Sequence, residues 1–172
     1  AILTRANMAR CVLIRSNLSR STLRATDLTG ADLSSSDISF ANLEGANLSR
    51  ANLSSADLTG ADLTGANLRG AILSSTILKQ ADLTGADLRG ASLIKADLES
   101  ANFYETVFGF STFVNCDLSK AMALEFARHT GPSTIGLDTL AKSGGRIPRK
   151  FLEDAGVAAP LMKTQDLIMG VN

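Results

Sequence analysis

The stretch ANLEGANLSRANLSSADLTGADLTGANLRG, residues 41–70, repeats one five-residue pattern six times. Each unit begins with Ala, continues with Asp or Asn and then Leu, and ends in two residues that are mostly small or polar. The same register extends over residues 1–120 as 24 consecutive units without an insertion or deletion, and the third residue is Leu in 19 of them. An internal repeat of this regularity predicts a solenoid, in which each turn packs on its neighbours.

A period of five fits neither a continuous helix nor a continuous strand. On an α-helix successive leucines would point in all directions, and on a strand alternate leucines would fall on opposite faces. A chain that is extended for about three residues and then bends fits the pattern, because the small first residue and the central Leu then point to one interior. The Asp or Asn between them points to solvent as a polar stripe, and the last two residues form the bend. Gly at the fifth position of several units suits bends that need a positive φ.

The motif A-[D/N]-L-x-x resembles that of the pentapeptide repeat proteins, and the resemblance covers 120 of the 172 residues. It implies an all-β solenoid, a right-handed quadrilateral β-helix with four pentapeptides per turn and therefore about six coils. At a spacing of ~4.8 Å between neighbouring strands, such a rod is roughly 29 Å long. The predicted structural core includes the central residues Leu43, Leu48, Leu53, Leu58, Leu63, Phe103, Phe108 and Phe113.

The repeat pattern ends at Lys120, which predicts a β-helix over residues 1–120 and a short α-helical C-terminal cap or linker over residues 121–172. Residues 121–129 favour a first short helix, whose Leu124 and Phe126 would pack over the open end of the solenoid. A second helix, capped by Ser133 or Thr134 and containing Leu140, a third beginning at Pro148, and a last one over Leu161–Met169 are also predicted.

The segment from Thr134 to Val157 resembles a linker that follows pentapeptide repeats in bacterial multidomain proteins. That resemblance implies a bacterial source and an attached domain. The first residue is Ala1 rather than Met, which predicts a processed chain or a piece of a longer one.

Composition narrows the function classes. The 17 basic and 17 acidic side chains give a formal net charge of zero, which argues against a strongly basic nucleic-acid binder. No apolar run approaches the roughly 18 residues of a membrane span, and no N-terminal signal segment is present in the sequence.

Catalytic, metal and cofactor sites are not predicted. Cys11 and Cys116 both fall at the small inward position on coils on the order of 24 Å apart, too far for a disulfide. Reduced thiols suit a cytoplasmic protein. His129 is the single histidine, so neither a metal site nor a Ser-His-Asp arrangement is expected. The Asp and Asn positions lack the glycine-rich nonapeptide pattern of calcium-binding β-helices.

Two features of the predicted surface are not specified by the repeat pattern. Arginines fill the fifth position of the first four units and predict a basic end, which serves either solubility or the binding of an anion or partner: Arg5, Arg10, Arg15 and Arg20. Four apolar residues at outward positions predict a contact surface on one side of the rod: Ile72, Ile94, Phe110 and Val114. Its occupant would be the tail helices, another protein or a second copy.

The predicted function is that of a non-enzymatic protein–protein interaction or scaffold and spacer module. Its partner would be another protein, an attached domain, or a second copy through the C-terminal end, where similar pentapeptide proteins pair. The alternative is a DNA-mimic regulator of DNA gyrase or another topoisomerase, as in the resembling proteins that confer quinolone resistance. Mimicry needs a dense negative surface, whereas residues 1–120 carry 11 basic and 12 acidic side chains.

Overall fold

A computed structural model describes the backbone of residues 1–168 and the side chains of residues 1–163. Residues 20 apart form isolated parallel β-bridges, from Ile2 with Thr22 through Asn102 with Met122. The N–H group of each central residue donates to the carbonyl 19 residues later, as in the 2.7 Å bond from Leu43 to Asp62. Twenty residues are four pentapeptides, so every coil has four sides and hydrogen bonds to the next coil through each of them.

The corners of the coil lie at the fourth and fifth residues of each unit. The fifth residue has a positive φ whether it is glycine or not, with 64° at Gly45 and 58° at Arg50. The Asp or Asn of the unit accepts a hydrogen bond from the backbone N–H two residues later, for example from Thr64 to Asp62 Oδ1 at 3.0 Å. The polar second position therefore stabilises the corner as well as facing solvent, a role that the expectation of a solvated stripe missed.

The small first residue and the central residue of each unit fill the interior. The central leucines from Leu43 to Leu63 are at most 1% exposed, and so are Phe103, Phe108 and Phe113. Burial of one leucine side chain contributes about 1.5–3 kcal/mol. The three phenylalanines contact one another at ring-centroid distances of 5.6 and 5.2 Å and widen the apolar cross-section at the C-terminal end.

Stacking continues past Lys120. Strands β1 (Val107–Phe108) and β2 (Thr112–Phe113) pair in parallel with β3 (Arg128–His129) and β4 (Thr134–Ile135). The predicted first helix over residues 121–129 is therefore wrong: a β-bridge at Met122 and a 3₁₀ helix at Leu124–Phe126 precede β3. Hydrogen bonds to the edge of the last coil override the local helix preference. Leu124 is buried as expected, whereas Phe126 is 54% exposed and does not cover the end.

The fourth side of the last coil departs from the predicted regular ladder. Within the described chain no bridge joins Asp97 to Asp117. The N–H groups of Cys116 and Leu118 instead donate to Thr139 Oγ1 at 3.2 Å and to Ser143 Oγ at 3.0 Å. Side-chain hydroxyls of the tail thus replace a missing strand partner.

Three helices complete the tail: α1 (Leu137–Lys142), α2 (Arg149–Asp154) and α3 (Ala159–Ile168). Gly136 rather than Ser133 or Thr134 precedes α1, and no side chain caps that helix. Pro148 precedes α2, and the predicted end of the last helix, Met169, lies outside the described residues. No helix in the described part of the chain is long and apolar enough to cross a membrane.

Candidate functional surfaces

Two opposite sides of the rod carry net charges of opposite sign. One side, here called the arginine face, consists of the outward residues of units 6–10, 26–30, 46–50, 66–70, 86–90 and 106–110. It has four arginines and two aspartates, a net charge of +2: Arg10, Arg50, Arg69, Arg89, Asp27 and Asp87. The rigid ladder keeps these side chains on the same side over successive coils.

The opposite side, here called the acidic face, consists of the outward residues of units 16–20, 36–40, 56–60, 76–80, 96–100 and 116–120. Five carboxylates and three cations give it a net charge of −2. Lys79 Nζ lies 3.1 Å from Glu99 Oε2 and 3.4 Å from Asp97 Oδ2, and Lys120 Nζ lies 2.6 Å from Glu99 Oε1. Hydrogen bonds from Lys120 and Lys79 lower the pKa of Glu99. This surface is largely neutralised where its charges are densest.

A cleft on the arginine face spans three coils. Its lining consists of Thr29, Ser49, Arg50, Asn67 and Arg69. Sequence reasoning missed this cleft, because its residues are up to 40 positions apart. The signal that could have revealed it is the spacing of 19 residues between Arg50 and Arg69 once a 20-residue turn is assumed.

All four arginines of the predicted basic end are exposed, and two of them lie over the next coil. The Cζ atom of Arg20 lies 5.3 Å from the ring centroid of Phe40 on the next coil, a cation–π contact. The stem of Arg10 passes over Gly30, where an added Cβ would lie 3.7 Å from Arg10 Cγ. Residues 1–26 nevertheless contain five arginines and no acidic residue, so the excess of positive charge at this end remains.

The four residues of the predicted contact surface lie in different environments. Ile72 is 44% exposed and the Phe110 side chain 70%, whereas Ile94 and Val114 are half-buried. The tail passes close to part of this surface, since the Phe110 N–H donates to the Pro132 carbonyl at 2.7 Å. An added Cβ on Gly136 would lie 3.4 Å from Val114 Cγ2. The tail therefore reaches Val114 and lies against part of the Phe110 ring at Gly131, while Ile72 and most of that ring stay exposed.

The single histidine lies at the junction between the coils and α2. The His129 ring packs 4.8 Å from the ring of Phe151 and 5.5 Å from that of Phe108, and both ring nitrogens are buried without a hydrogen-bond partner. Burial lowers the pKa of His129; the charges of Asp154 and Lys150 have smaller and opposite effects. The sequence predicted no role for this residue, because it is the single histidine and has no second ligand or catalytic partner near it along the chain.

The remaining reactive group of the interior is a thiol. Cys116 Sγ donates to the Leu93 carbonyl at 2.6 Å, and burial raises its pKa to about 11. A thiol with this pKa is a poor nucleophile at neutral pH. Among the described residues no group of three or more His, Cys, Asp or Glu side chains is placed to hold a metal ion.

Parallel coils of four five-residue sides define a β-solenoid, and comparisons with known proteins agree. The sequence profile of pentapeptide repeats, with eight copies, matches residues 1–39, 36–74 and 81–119. The chain therefore belongs to the pentapeptide repeat family. Proteins of this family form right-handed quadrilateral β-helices.

Three solved structures illustrate the similarity. The pentapeptide repeat protein Rfr23 from the cyanobacterium Cyanothece 51142 is 33% identical, with 58% of this chain and 80% of that chain covered and a TM-score of 0.54. For alr5209 from Nostoc PCC 7120 the identity is 48%, the coverage 51% and 70%, and the TM-score 0.48. HetL, from Nostoc sp. strain PCC 7120 and involved in heterocyst differentiation regulation, is 27% identical, with 78% and 76% covered and a TM-score of 0.46. No protein with a curated description matches the chain at a significant level.

Proposed function

We propose that this chain is a non-enzymatic interaction or scaffold module that binds a partner protein through one side of a rigid rod. One observation carries the proposal: a ladder of hydrogen bonds holds the charged side chains of each side in fixed columns, and opposite sides have net charges of +2 and −2. Fixed charge of one sign on one side favours encounter with a complementary protein surface. In this proposal the rod has six coils of repeats over residues 1–120 and a helical cap formed by the tail.

Packing at the C-terminal end supports the cap. Phe151 of α2 lies edge-on to Phe108 and Phe113, at ring-centroid distances of 5.9 and 5.8 Å, and is 1% exposed. Leu152 is buried beside it. Closure of the apolar cross-section by α2 would prevent end-to-end association through this end.

The chemistry of the buried groups supports a non-enzymatic role. The Cys116 thiol has a raised pKa, and both His129 ring nitrogens are buried without a hydrogen-bond partner, beside the ring of Phe151. The thiol is therefore a poor nucleophile, and the histidine has no hydrogen-bonded partner that would orient it as a general base.

In one version of this proposal the partner is a second copy of the same chain, and the two copies pair through their C-terminal ends. An exposed apolar patch at that end supports it, since the rings of Tyr104 and Phe126 lie 5.4 Å apart and Met122 is 48% exposed. The gyrase alternative has less support, because the arginine face is positive and Lys79 and Lys120 interrupt the acidic face.

Site-specific photo-crosslinking tests the proposal. A crosslinking residue is placed at the fourth position of one unit on each side, at Ser49, Thr59, Thr64 or Ser74, and the protein is expressed in its native cell. We expect one saturable partner that crosslinks from one side and is lost when the charges of that side are reversed. Weak, equal crosslinking from all four sides would contradict the proposal. So would a specific catalytic turnover that a point substitution abolishes.

A further inference from the structure

The cleft on the arginine face is lined only by neutral and cationic side chains. Thr29 belongs to the second coil, Ser49 and Arg50 to the third, and Asn67 and Arg69 to the fourth. A second polar cleft, next to the break in the ladder, contains Asp97, Glu99 and Asp117 together with its lysines. Of these two clefts, the one on the arginine face has no carboxylate in its lining.

Hydrogen bonds beneath the cleft run in one direction. Asn67 Nδ2 donates to Asn47 Oδ1 at 3.1 Å, Asn47 Nδ2 donates to Thr29 Oγ1 at 2.8 Å, and the Thr29 hydroxyl donates to Asp27 Oδ1 at 2.6 Å. Asn67 Oδ1 is also occupied, because it accepts the Arg69 N–H at 3.1 Å. Each acceptor in this series of hydrogen bonds therefore already receives a hydrogen bond from the protein. The second N–H of Asn67 Nδ2 remains to donate to a ligand in the cleft.

The Ser49 hydroxyl adds another donor. In contrast to Ser54, whose Oγ donates to Asn52 Oδ1 at 2.7 Å, Ser49 Oγ makes no hydrogen bond to any described residue. A hydroxyl without an internal acceptor can donate to a ligand in the cleft.

The two guanidinium groups differ in their partners. Arg50 has no ion pair with any residue between 1 and 163. Arg69 Nε lies 4.0 Å from Asp87 Oδ2, but Asp87 already accepts hydrogen bonds from Arg89 Nε at 2.9 and 3.2 Å and from Arg89 Nη2 at 2.5 Å. Partial burial raises the pKa of Asp87, but the hydrogen bonds and charge of Arg89 outweigh that effect and lower it overall. The positive charge of Arg50 therefore remains available, and Arg69 shares the single carboxylate of Asp87 with Arg89.

Backbone geometry places Arg50 beside Arg69. Residue 70, at the corner above Arg50, is glycine, and an added Cβ there would lie 3.7 Å from Arg50 Cγ. A Cβ at that distance would be in ordinary van der Waals contact, so the stem of Arg50 lies close to the coil that carries Arg69.

We propose that this cleft is a binding site for an oxyanion, a phosphate or carboxylate group, held by the guanidinium groups of Arg50 and Arg69 and the Ser49 hydroxyl. Two guanidiniums with neutral donors between them match the several acceptor oxygens of such a group. The inference deepens the proposed interaction module, because the oxyanion would belong to a side chain of the partner protein. A free anion tests the site without the partner.

The experiment is an NMR titration of the full chain with inorganic phosphate and, separately, with acetate, at constant ionic strength and pH. Backbone signals of residues 49, 50, 67 and 69 and the arginine Nε–H signals report binding. The test variant is Arg50→Gln with Arg69→Gln, and the matched control is Arg15→Gln with Arg20→Gln. The control also removes two exposed arginines outside the cleft.

We expect saturable shifts centred on the cleft with at least one of the two anions, an affinity about tenfold weaker in the test variant, and no such change in the control. Tighter binding of phosphate would indicate a phosphorylated partner, and equal binding of acetate a carboxylate. Absence of saturable shifts with both anions would overturn the proposal, and so would equal weakening by the control variant. Such a failure would leave the interaction module testable by crosslinking from the other three sides.

Discussion

The repeat coils and the tail after Lys120, here called the closing segment, bury their backbone and side chains in different ways. Between residues 21 and 95 each unit donates and accepts the same hydrogen bonds as the next, and the interior consists of leucines, Ile38 and small residues. From residue 107 onward the hydrogen bonds come from four short strands and from the hydroxyls of Thr139 and Ser143, and the buried apolar surface comes from a cluster of aromatic rings. Periodic sequence stabilises the middle of the solenoid, whereas its end depends on individual side chains.

The largest effect is expected from a charge in the middle of the stack. Leu53 is 0% exposed, so Leu53→Asp would bury a carboxylate without a partner and should destabilise the chain by at least about 5 kcal/mol. The matched control, Ser54→Asp, lies at an outward position and should change stability by less than about 0.5 kcal/mol. Thermal and urea unfolding measure both. Equal destabilisation by the two substitutions would contradict the inward register.

A smaller loss of stability is expected when a ring of the aromatic cluster at the closing segment is removed. Phe151→Ala should destabilise by about 3 kcal/mol, because it leaves a cavity against Phe108 and Phe113. Phe110→Ala is the control, since the Phe110 side chain is 70% exposed and should contribute less than about 0.5 kcal/mol. Unfolding curves that are the same for both variants would show that α2 is not part of the core.

The hydrogen bonds that Asp and Asn side chains accept at the corners of the coil should each contribute less to stability. Asp62→Ala removes the acceptor of the Thr64 N–H and should destabilise by about 1 kcal/mol. Asp62→Asn keeps the acceptor and should be nearly neutral, as the Asn at position 42 makes the same bond to Glu44 at 3.0 Å. An effect of the same size in both variants would point to the charge rather than the hydrogen bond.

Near neutral pH the smallest effect is expected from the histidine of the closing segment. Burial lowers the pKa of His129, so the unfolded chain binds a proton below about pH 6.5 while the folded chain does not. Stability should therefore decrease as the pH falls through about 6.5, and His129→Leu should remove that decrease. The urea midpoint of both proteins, measured across this range, checks it. Parallel pH profiles would mean that the histidine does not remain neutral on folding.

The repeat region could be predicted from the sequence because one short pattern specifies every unit. Small residue, Asp or Asn and Leu at fixed spacing indicated the inward and outward sides, while the four-sided coil followed from the family resemblance. The hydrogen bonds at the corners were missed, since an Asp or Asn that faces solvent gives no sign in the pattern of whether it also accepts a backbone N–H. The columns of charge on each side become visible only when residues 20 apart are aligned.

The closing segment could not be predicted in the same way. Phe108 pairs with His129 and Phe113 with Ile135, at separations of 21 and 22 residues, so the period of 20 is lost. The residues at 121–129 favour a helix locally, and only the open edge of the last coil makes an extended conformation better. A cleft such as that of Arg50 and Arg69 likewise depends on residues of three coils that are up to 40 positions apart in sequence.

Removal of the closing segment tests most directly the claim that the repeats need it as a cap. A chain that ends at Lys120 would expose Phe108 and Phe113 and leave the hydrogen-bonding edges of β1 and β2 unpaired. Analytical ultracentrifugation and thermal unfolding of the truncated and full chains should show self-association together with a lower unfolding temperature for the truncated chain. A truncated protein that remains monodisperse and equally stable would contradict the cap and show that the tail is a passive linker.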